Sequence, residues 1–378
     1  MAKILFVMKY PLHRQENLQV KFDGQMAAVR ALGHEPQAIG WDEEGMWLIG
    51  EGERQLLRRN CGTRMPGYDH TKIFTDLMAA VREVLRREKV DLLYLRYMPT
   101  FGNAVRAMRM LKAQGGKFIM EIPTYPNKNE NKRSLLRRPV FAYTDRVLRR
   151  IHPMVDLYTV IGQDCGGDIQ GQPAMNIVNG VYVPGVPLHE VNQGTADIHL
   201  LALASMAKWH GYDRLLRSLA DYQGTENVFV HLVGSDGDGS LTEWKALAEA
   251  LGLMDRVTFH GALHGEALNN VVAQCDVGIG CLAVFRFGFS GSMSLKIREY
   301  MARGLPFVYA EDDPSIPEDA RFCMRVSNDE APIDMAKIAA FAKACKQRPE
   351  VPALMRAYAT EHMSWEAVMK SVLERLGL

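Results

Sequence analysis

Lys296 and Glu299 stand three residues apart in GSMSLKIREYMARGLPFVYA, residues 291–310, where local signals spell a loop, an amphipathic helix, a tight stop and a buried strand. Ser294 is of a type that caps helix starts, Leu295, Ile297 and Met301 form an apolar side, and Gly304 ends the helix before Pro306 opens PFVYA. A helix start presents unpaired backbone N–H groups and the positive end of its dipole, which attracts anions. Lys296 adds positive charge beside that start, and Glu299, on the same face, offers a carboxylate able to hold two vicinal hydroxyls. A nucleotide diphosphate carries both groups. The competing reading is a surface ion pair worth roughly a few tenths of a kcal/mol.

The surrounding text favours the first reading. The run SLKIREYMARGLPFV resembles the signature of the retaining, nucleotide-sugar-dependent glycosyltransferases of family 4, in which a glutamate before Y-M-A-x-G-x-P holds the donor ribose; Glu299 is the matching position. Other segments match that family in the same order: NIVNGVYV (176–183), HLLALASMAKWHGYDRLLRSLADY (199–222), VFVHLVGSDGDG (228–239), RVTFHGAL (256–263) and CDVGIGCL (275–282). The resemblance implies the GT-B fold, with two Rossmann-like domains facing across a cleft and a C-terminal helix crossing back to the first. It implies donor contacts from Ser294, Leu295, Glu299, Gly234 and Gly261, and a scheme in which a departing phosphate oxygen takes the acceptor's proton. That scheme requires no metal and no cofactor beyond the sugar donor.

Two departures from the family pattern matter. Where the family's G-R-L-x-x-x-K-G turn carries an Arg and a Lys for the diphosphate, this chain has ASMAKWHGYDR, with His210 at the Lys position. Lys208 and Arg214 are near enough in sequence to compensate and Arg286, in the loop FRFGFSGS, offers another cation; Lys208 and Lys296 are the first choices as catalytic charges because leaving-group charge grows toward the transition state. The family's first acidic residue, eight positions before the ribose glutamate, is Gly291 here.

In the N-terminal half, EIPTYPNKNE (121–130) follows a strand and resembles a segment of surface and capsular polysaccharide glycosyltransferases, where other members place a histidine. None is present, so Glu121 is the carboxylate expected to serve the sugar, with Thr124, Tyr125 and, at the end of the preceding strand, Arg96 on the acceptor side.

The elements that must position these residues alternate regularly. KILFVM, EPQAIG, DLLYLRY, KFIMEI, VDLYTVI and NIVNG read as strands, with helices near 20–33, 71–89, 100–114 and 134–151. A second alternation begins at HLLALAS and runs through VFVHLVG, RVTFHG, DVGIGCL, PFVYA and RFCMRVS. The expected division is an acceptor domain over 1–180, a Gly- and Pro-containing linker over 181–197, a donor domain over 198–358 and a crossover helix over 359–378, anchored by Trp365.

Composition sets bounds. With 378 residues, 47% of them hydrophobic, the chain can fill two cores, since single cores stop growing near ~250–300 residues. A formal charge of +1 gives no general field for nucleic acid. Six cysteines without a C-x-x-C pair suit a reducing, cytoplasmic setting, and no apolar run approaches the ~18 residues of a membrane span or forms a signal peptide. DGDGS (236–240) lacks the spacing of a calcium loop, and neither H-E-x-x-H nor G-x-S-x-G occurs. Residues 128–152 hold eight Lys and Arg against Glu130 and Asp145, interleaved with apolar residues, as expected of a peripheral contact with an anionic membrane near a lipid-linked acceptor.

The expected activity is therefore transfer of a hexosyl or pentosyl group from a nucleotide-sugar donor to a glycan or lipid-linked glycan in surface polysaccharide assembly. The alternative is a non-catalytic partner protein that binds nucleotide through the same fold.

Overall fold

The computed structural model describes residues 1–12, 17–59, 68–99, 102–125, 138–162, 164–288, 291 and 293–378. They divide into two units, Met1–Val178 with Trp365–Leu378, and Asn179–Ser364.

The first unit contains β1 (Lys3–Pro11), α1 (Asn17–Ala31), β2 (Glu35–Trp41), β3 (Gly45–Ile49), β4 (Arg54–Arg59), α2 (Tyr68–Arg87), β5 (Leu92–Arg96), α3 (Gly102–Ala113), β6 (Lys117–Tyr125), α4 (Arg138–Ile151), β7 (Leu157–Gly162), β8 (Asp168–Ile169) and β9 (Gln172–Asn176). Its sheet runs β4-β3-β2-β1-β5-β6-β7-β9-β8, parallel from β2 across to β9. Strands covered on both faces read as unbroken apolar runs: Leu5, Phe6, Val7, Leu93 and Leu95 are fully buried. The antiparallel β3–β4 hairpin escapes sequence reading because β4, RQLLRR, buries only Leu57 among exposed arginines. The strand expected at NIVNG lies mostly upstream, as β9 ends at its first residue, Asn176, and Ile177 N–H closes the ladder on Val160 O at 2.8 Å.

The second unit contains β10 (Ile198–Leu203), α5 (Tyr212–Ala220), β11 (Val228–Val233), α6 (Ser240–Ala250), β12 (Val257–Gly261), α7 (Gly265–Gln274), β13 (Val277–Ile279), α8 (Leu295–Arg303), β14 (Phe307–Tyr309), β15 (Cys323–Arg325), α9 (Met335–Lys346) and α10 (Val351–Tyr358). Its parallel sheet runs β12-β11-β10-β13-β14-β15. The chain winds outward from β10 in one direction and resumes at β13 in the other. That reversal is where open α/β sheets bind ligands, beyond the carboxyl ends of the strands.

Residues 181–197 pack with the second unit and do not stand apart as a linker: Val181 N–H donates to Met363 O at 2.9 Å and His189 N–H to Arg303 O at 2.6 Å. The final helix, α11 (Trp365–Arg375), belongs to the first unit, where the ring of Trp365 lies 5.3 Å from Lys21 Nζ. Among the described residues no helix is long and apolar enough to cross a membrane.

Candidate functional site

The reversal between β10 and β13 brings α8 to the strand ends of the second unit. Gly304, at φ 72°, stops that helix in the left-handed conformation that glycine adopts without a Cβ penalty. Ser294 stands at the N-cap, but its hydroxyl donates to Glu311 Oε1 at 2.6 Å, so the first N–H groups of α8 carry no side-chain cap. Lys296 is buried just inside this start and donates from Nζ to the Tyr212 hydroxyl at 2.9 Å.

His210 completes the same corner. Ala207 N–H donates to its Nδ1 at 3.1 Å, which assigns the proton of the neutral ring to Nε2, and the ring stacks on Tyr212. Burial, reinforced by the charge of Lys296, holds its pKa well below the usual imidazole value, so the ring stays neutral at pH 7. An ammonium, a neutral N–H donor and an uncapped helix start can together meet an anion.

Glu311, two residues past β14, lies beneath this corner, fully buried, with Oε2 lacking a hydrogen-bond partner. Burial raises its pKa to about 7 against the opposing effects of the Ser294 hydroxyl and Lys296. Glu299, one turn along α8, is partly exposed, and its Oε1 accepts from Arg303 Nε at 3.0 Å and Nη2 at 2.9 Å. Its Oε2 has no partner among the described residues.

The helix itself is clamped. Arg298 forms a buried two-point pair with Asp313, at 2.6 and 3.1 Å, and donates from Nε to Asn179 O at 3.1 Å. The Asn179 amide in turn donates to Met293 O at 2.7 Å, which is what the N-G-V segment does here: it ties down the loop before α8. Tyr300 OH lies 3.2 Å from both Leu201 O and Ile279 O, bridging β10 and β13.

Two of the cations expected from sequence are already committed. Arg214 is buried, with its guanidinium on the carbonyls of Leu282, Ser327 and Ala331 and on Asp329; it staples loops together and does not offer itself to a diphosphate. Arg286 is taken by both oxygens of Asp213, at 2.7 and 2.9 Å, and by Glu330, so its charge is neutralised in place. Lys208 is exposed and weakly tied to Glu243 at 3.4 Å. Gly234 has a structural reason for its identity, since a Cβ there would fall 1.6 Å from Ala204 O. Gly261, at φ 72°, accepts the Gly234 N–H at 2.7 Å, so both turns sit at adjoining strand ends.

In the first unit Glu121 is fully buried and not open to a sugar. Oε1 accepts from Lys21 Nζ and Arg96 Nη1, each at 2.7 Å, while Oε2 accepts from Tyr94 OH at 2.7 Å and Gln25 Nε2 at 3.2 Å. Burial pushes this carboxyl up, but Lys21 and Arg96 more than offset it and leave it near 2. Burial also brings Lys21 down to about 8, against the pull of Glu121. The expectation of a catalytic Glu121 is thus corrected: the carboxylate orients two cations. Lys21, one hundred residues away in sequence, had no local signal. Tyr125 is half-buried at the end of β6, Thr124 precedes it, and the side chain of Thr124 lies outside the described residues, as do residues 128–137 of the basic stretch. No group of three or more His, Cys, Asp or Glu placed to hold a metal occurs among the described residues.

Comparison with known proteins agrees with this architecture. Residues 197–347 match the family model described as glycosyl transferases group 1. No curated protein matches the chain in sequence. Among solved structures, a sucrose-phosphate synthase from Thermosynechococcus elongatus is similar over 100% of this chain and 99% of its own, at 14% identity and a TM-score of 0.66. The catalytic domain of starch synthase IV from Arabidopsis thaliana, bound to ADP and acarbose, aligns over 100% and 99%, at 12% identity and a TM-score of 0.66. HepE from Anabaena, in complex with UDP, aligns over 99% of each chain at 15% identity and a TM-score of 0.61. The two Rossmann-like units are those of the GT-B glycosyltransferase fold.

Proposed function

We propose that the protein is a retaining glycosyltransferase of family 4 type that moves a hexosyl or pentosyl group from a nucleotide diphosphate donor to a glycan or lipid-linked glycan acceptor in surface polysaccharide assembly. The observation that carries this reading is the corner formed by Lys296, the neutral His210 and the uncapped start of α8 at the reversal of the second sheet. The diphosphate leaves with growing negative charge, and Lys296 Nζ with the helix N–H groups meets it with donors that need no rearrangement. Lys208, exposed and paired with Glu243 only at 3.4 Å, serves as a second cation for the same group.

Glu299 supports the donor end: with Arg303 holding Oε1, Oε2 is left to accept from ribose hydroxyls. Ser294, Leu295, Gly234 and Gly261 offer backbone groups around the donor, while Arg96, Thr124 and Tyr125 stand on the acceptor side. The fixed charges supply the stabilisation that a metal ion would otherwise provide, so the reaction scheme calls for none. Peripheral membrane contact on the cytoplasmic side is part of the proposal, supported by the exposure of Arg146, Arg149 and Arg150 on α4.

A screen of nucleotide sugars, scored by thermal stabilisation and by release of nucleoside diphosphate, tests the reading. Stabilisation with turnover supports it; nucleotide binding without turnover against any glycan acceptor favours the non-catalytic partner, and no binding of any nucleotide sinks both.

A further inference from the structure

Arg96, the last residue of β5, carries a guanidinium fixed from one side. Its Nη1 is anchored on Glu121 Oε1 at 2.7 Å, and its Cζ lies 5.9 Å from the centre of the Phe22 ring on α1. The Nε and Nη2 pair, the side-on fork that matches two oxygens of a carboxylate or phosphate, has no hydrogen-bond partner among the described residues. The side chain keeps about a fifth of its surface exposed, whereas Lys21 and Glu121 beneath it are shut off from solvent.

Charge and position point the same way. Glu121 accepts from two cations, Lys21 and Arg96, and from two neutral groups, Tyr94 and Gln25, so both cations lean on its one negative charge at low dielectric. Glu121 stays ionised near neutral pH. In the first sheet the chain goes from β1 to β2 on one side and returns to β5 on the other. Arg96 at the end of β5 and Lys21 on the helix after β1 therefore stand at the reversal of this sheet, the place where open α/β sheets take ligands.

We infer that the free fork of Arg96 binds an oxyanion on the acceptor, so that the acceptor is an acidic glycan or a phosphate-bearing lipid and not a neutral sugar. Glu121 and Phe22 position the fork, and Lys21 supplies charge from below. The inference rests on the glycosyltransferase reading for the word acceptor, but the anion site itself does not.

Calorimetric titration of the intact protein with octyl glucuronide, decyl phosphate and octyl glucoside tests it, with inorganic phosphate as competitor. Binding of either charged probe at least tenfold tighter than the glucoside, competed by phosphate and weakened at least tenfold by Arg96→Gln, supports the site; which charged probe wins tells a sugar carboxylate from a lipid phosphate. Arg96→Lys retains the charge beside Glu121 but loses the fork, and a several-fold weakening is expected from it, which serves if the Gln variant fails to fold. Equal binding of the three probes, no binding of either charged probe, or charged-probe affinity unchanged in both variants would overturn the inference. Nucleoside diphosphate titrated into the same variants reads the donor site separately: its loss from the wild type sinks the glycosyltransferase reading and leaves the anion result standing.

Discussion

Lys296 Nζ donates to the Tyr212 hydroxyl at 2.9 Å and lies 5.2 Å from the centre of that ring, which also stacks on His210. An ammonium has three N–H donors, and the Tyr212 hydroxyl takes one of them. Lys296→Met, which preserves most of the packed volume, is expected to lower kcat by about a hundredfold or more, the scale for loss of one preorganised donor. The measurement is nucleotide release at saturating donor. Wild-type kcat in this variant would move the diphosphate contact elsewhere, with Lys208 next in line.

Glu299 is expected to act in binding more than in turnover. Removing a carboxylate that takes charge-assisted hydrogen bonds from ribose costs about 1.5–3 kcal/mol per bond, so Glu299→Ala should weaken nucleotide binding by at least about tenfold. The fold should survive, since the side chain is partly exposed. Calorimetry with the nucleoside diphosphate decides, and an unchanged dissociation constant removes Glu299 from the site.

Glu311 links stability to pH. Its pKa is raised by burial from 4.5 to about 7, so between those values the folded protein holds a proton that the unfolded chain has released. Stability is unaffected below the unfolded value and falls as pH rises through 4.5 toward 7, by an amount on the order of 3 kcal/mol. Glu311→Gln removes the dependence. Comparison of the two proteins by denaturant unfolding at pH 4.5 and pH 8 should show the variant gaining relative stability at the higher pH; a pH-independent difference would contradict the burial of an ionisable group there.

Arg214 is expected to behave as a structural residue. Arg214→Met leaves the buried carbonyl of Leu282 without its donor, an unmet group worth roughly 1–3 kcal/mol, and releases the more exposed carbonyls of Ser327 and Ala331 to solvent. Thermal unfolding should shift down while the folded fraction keeps its nucleotide affinity. A selective loss of affinity at unchanged stability would restore Arg214 to the donor site.

On α4, Arg149 and Arg150 are exposed while Val147 and Ile151 are buried, so the apolar residues of that turn face the core and only the charge is offered outward. Membrane contact through this helix should then be electrostatic, worth about 1 kcal/mol per basic residue near an anionic surface. Co-sedimentation with vesicles containing phosphatidylglycerol should fall with added salt and with Arg149→Gln/Arg150→Gln. Binding insensitive to both would exclude the helix as the contact.

The alternation of strands and helices was legible in the sequence because parallel strands buried on both faces are continuous apolar runs, and the helices between them carry their own start and stop residues. Lys296, Glu299, Ser294 and Gly304 were legible for a related reason: they sit within one loop-helix-turn segment, where spacing alone sets which residues share a face. What charged residues are free to do was not. Arg214 meets carbonyls 68, 113 and 117 positions along the chain, and Glu121 meets Lys21 across 100 positions. Whether a cation is spent on its own protein or left for a ligand depends on the desolvation and pairing that distant segments impose, and only the tertiary structure brings those segments together. The same packing turned Ser294 from a cap into a partner of Glu311 and made Glu121 an anchor for Arg96.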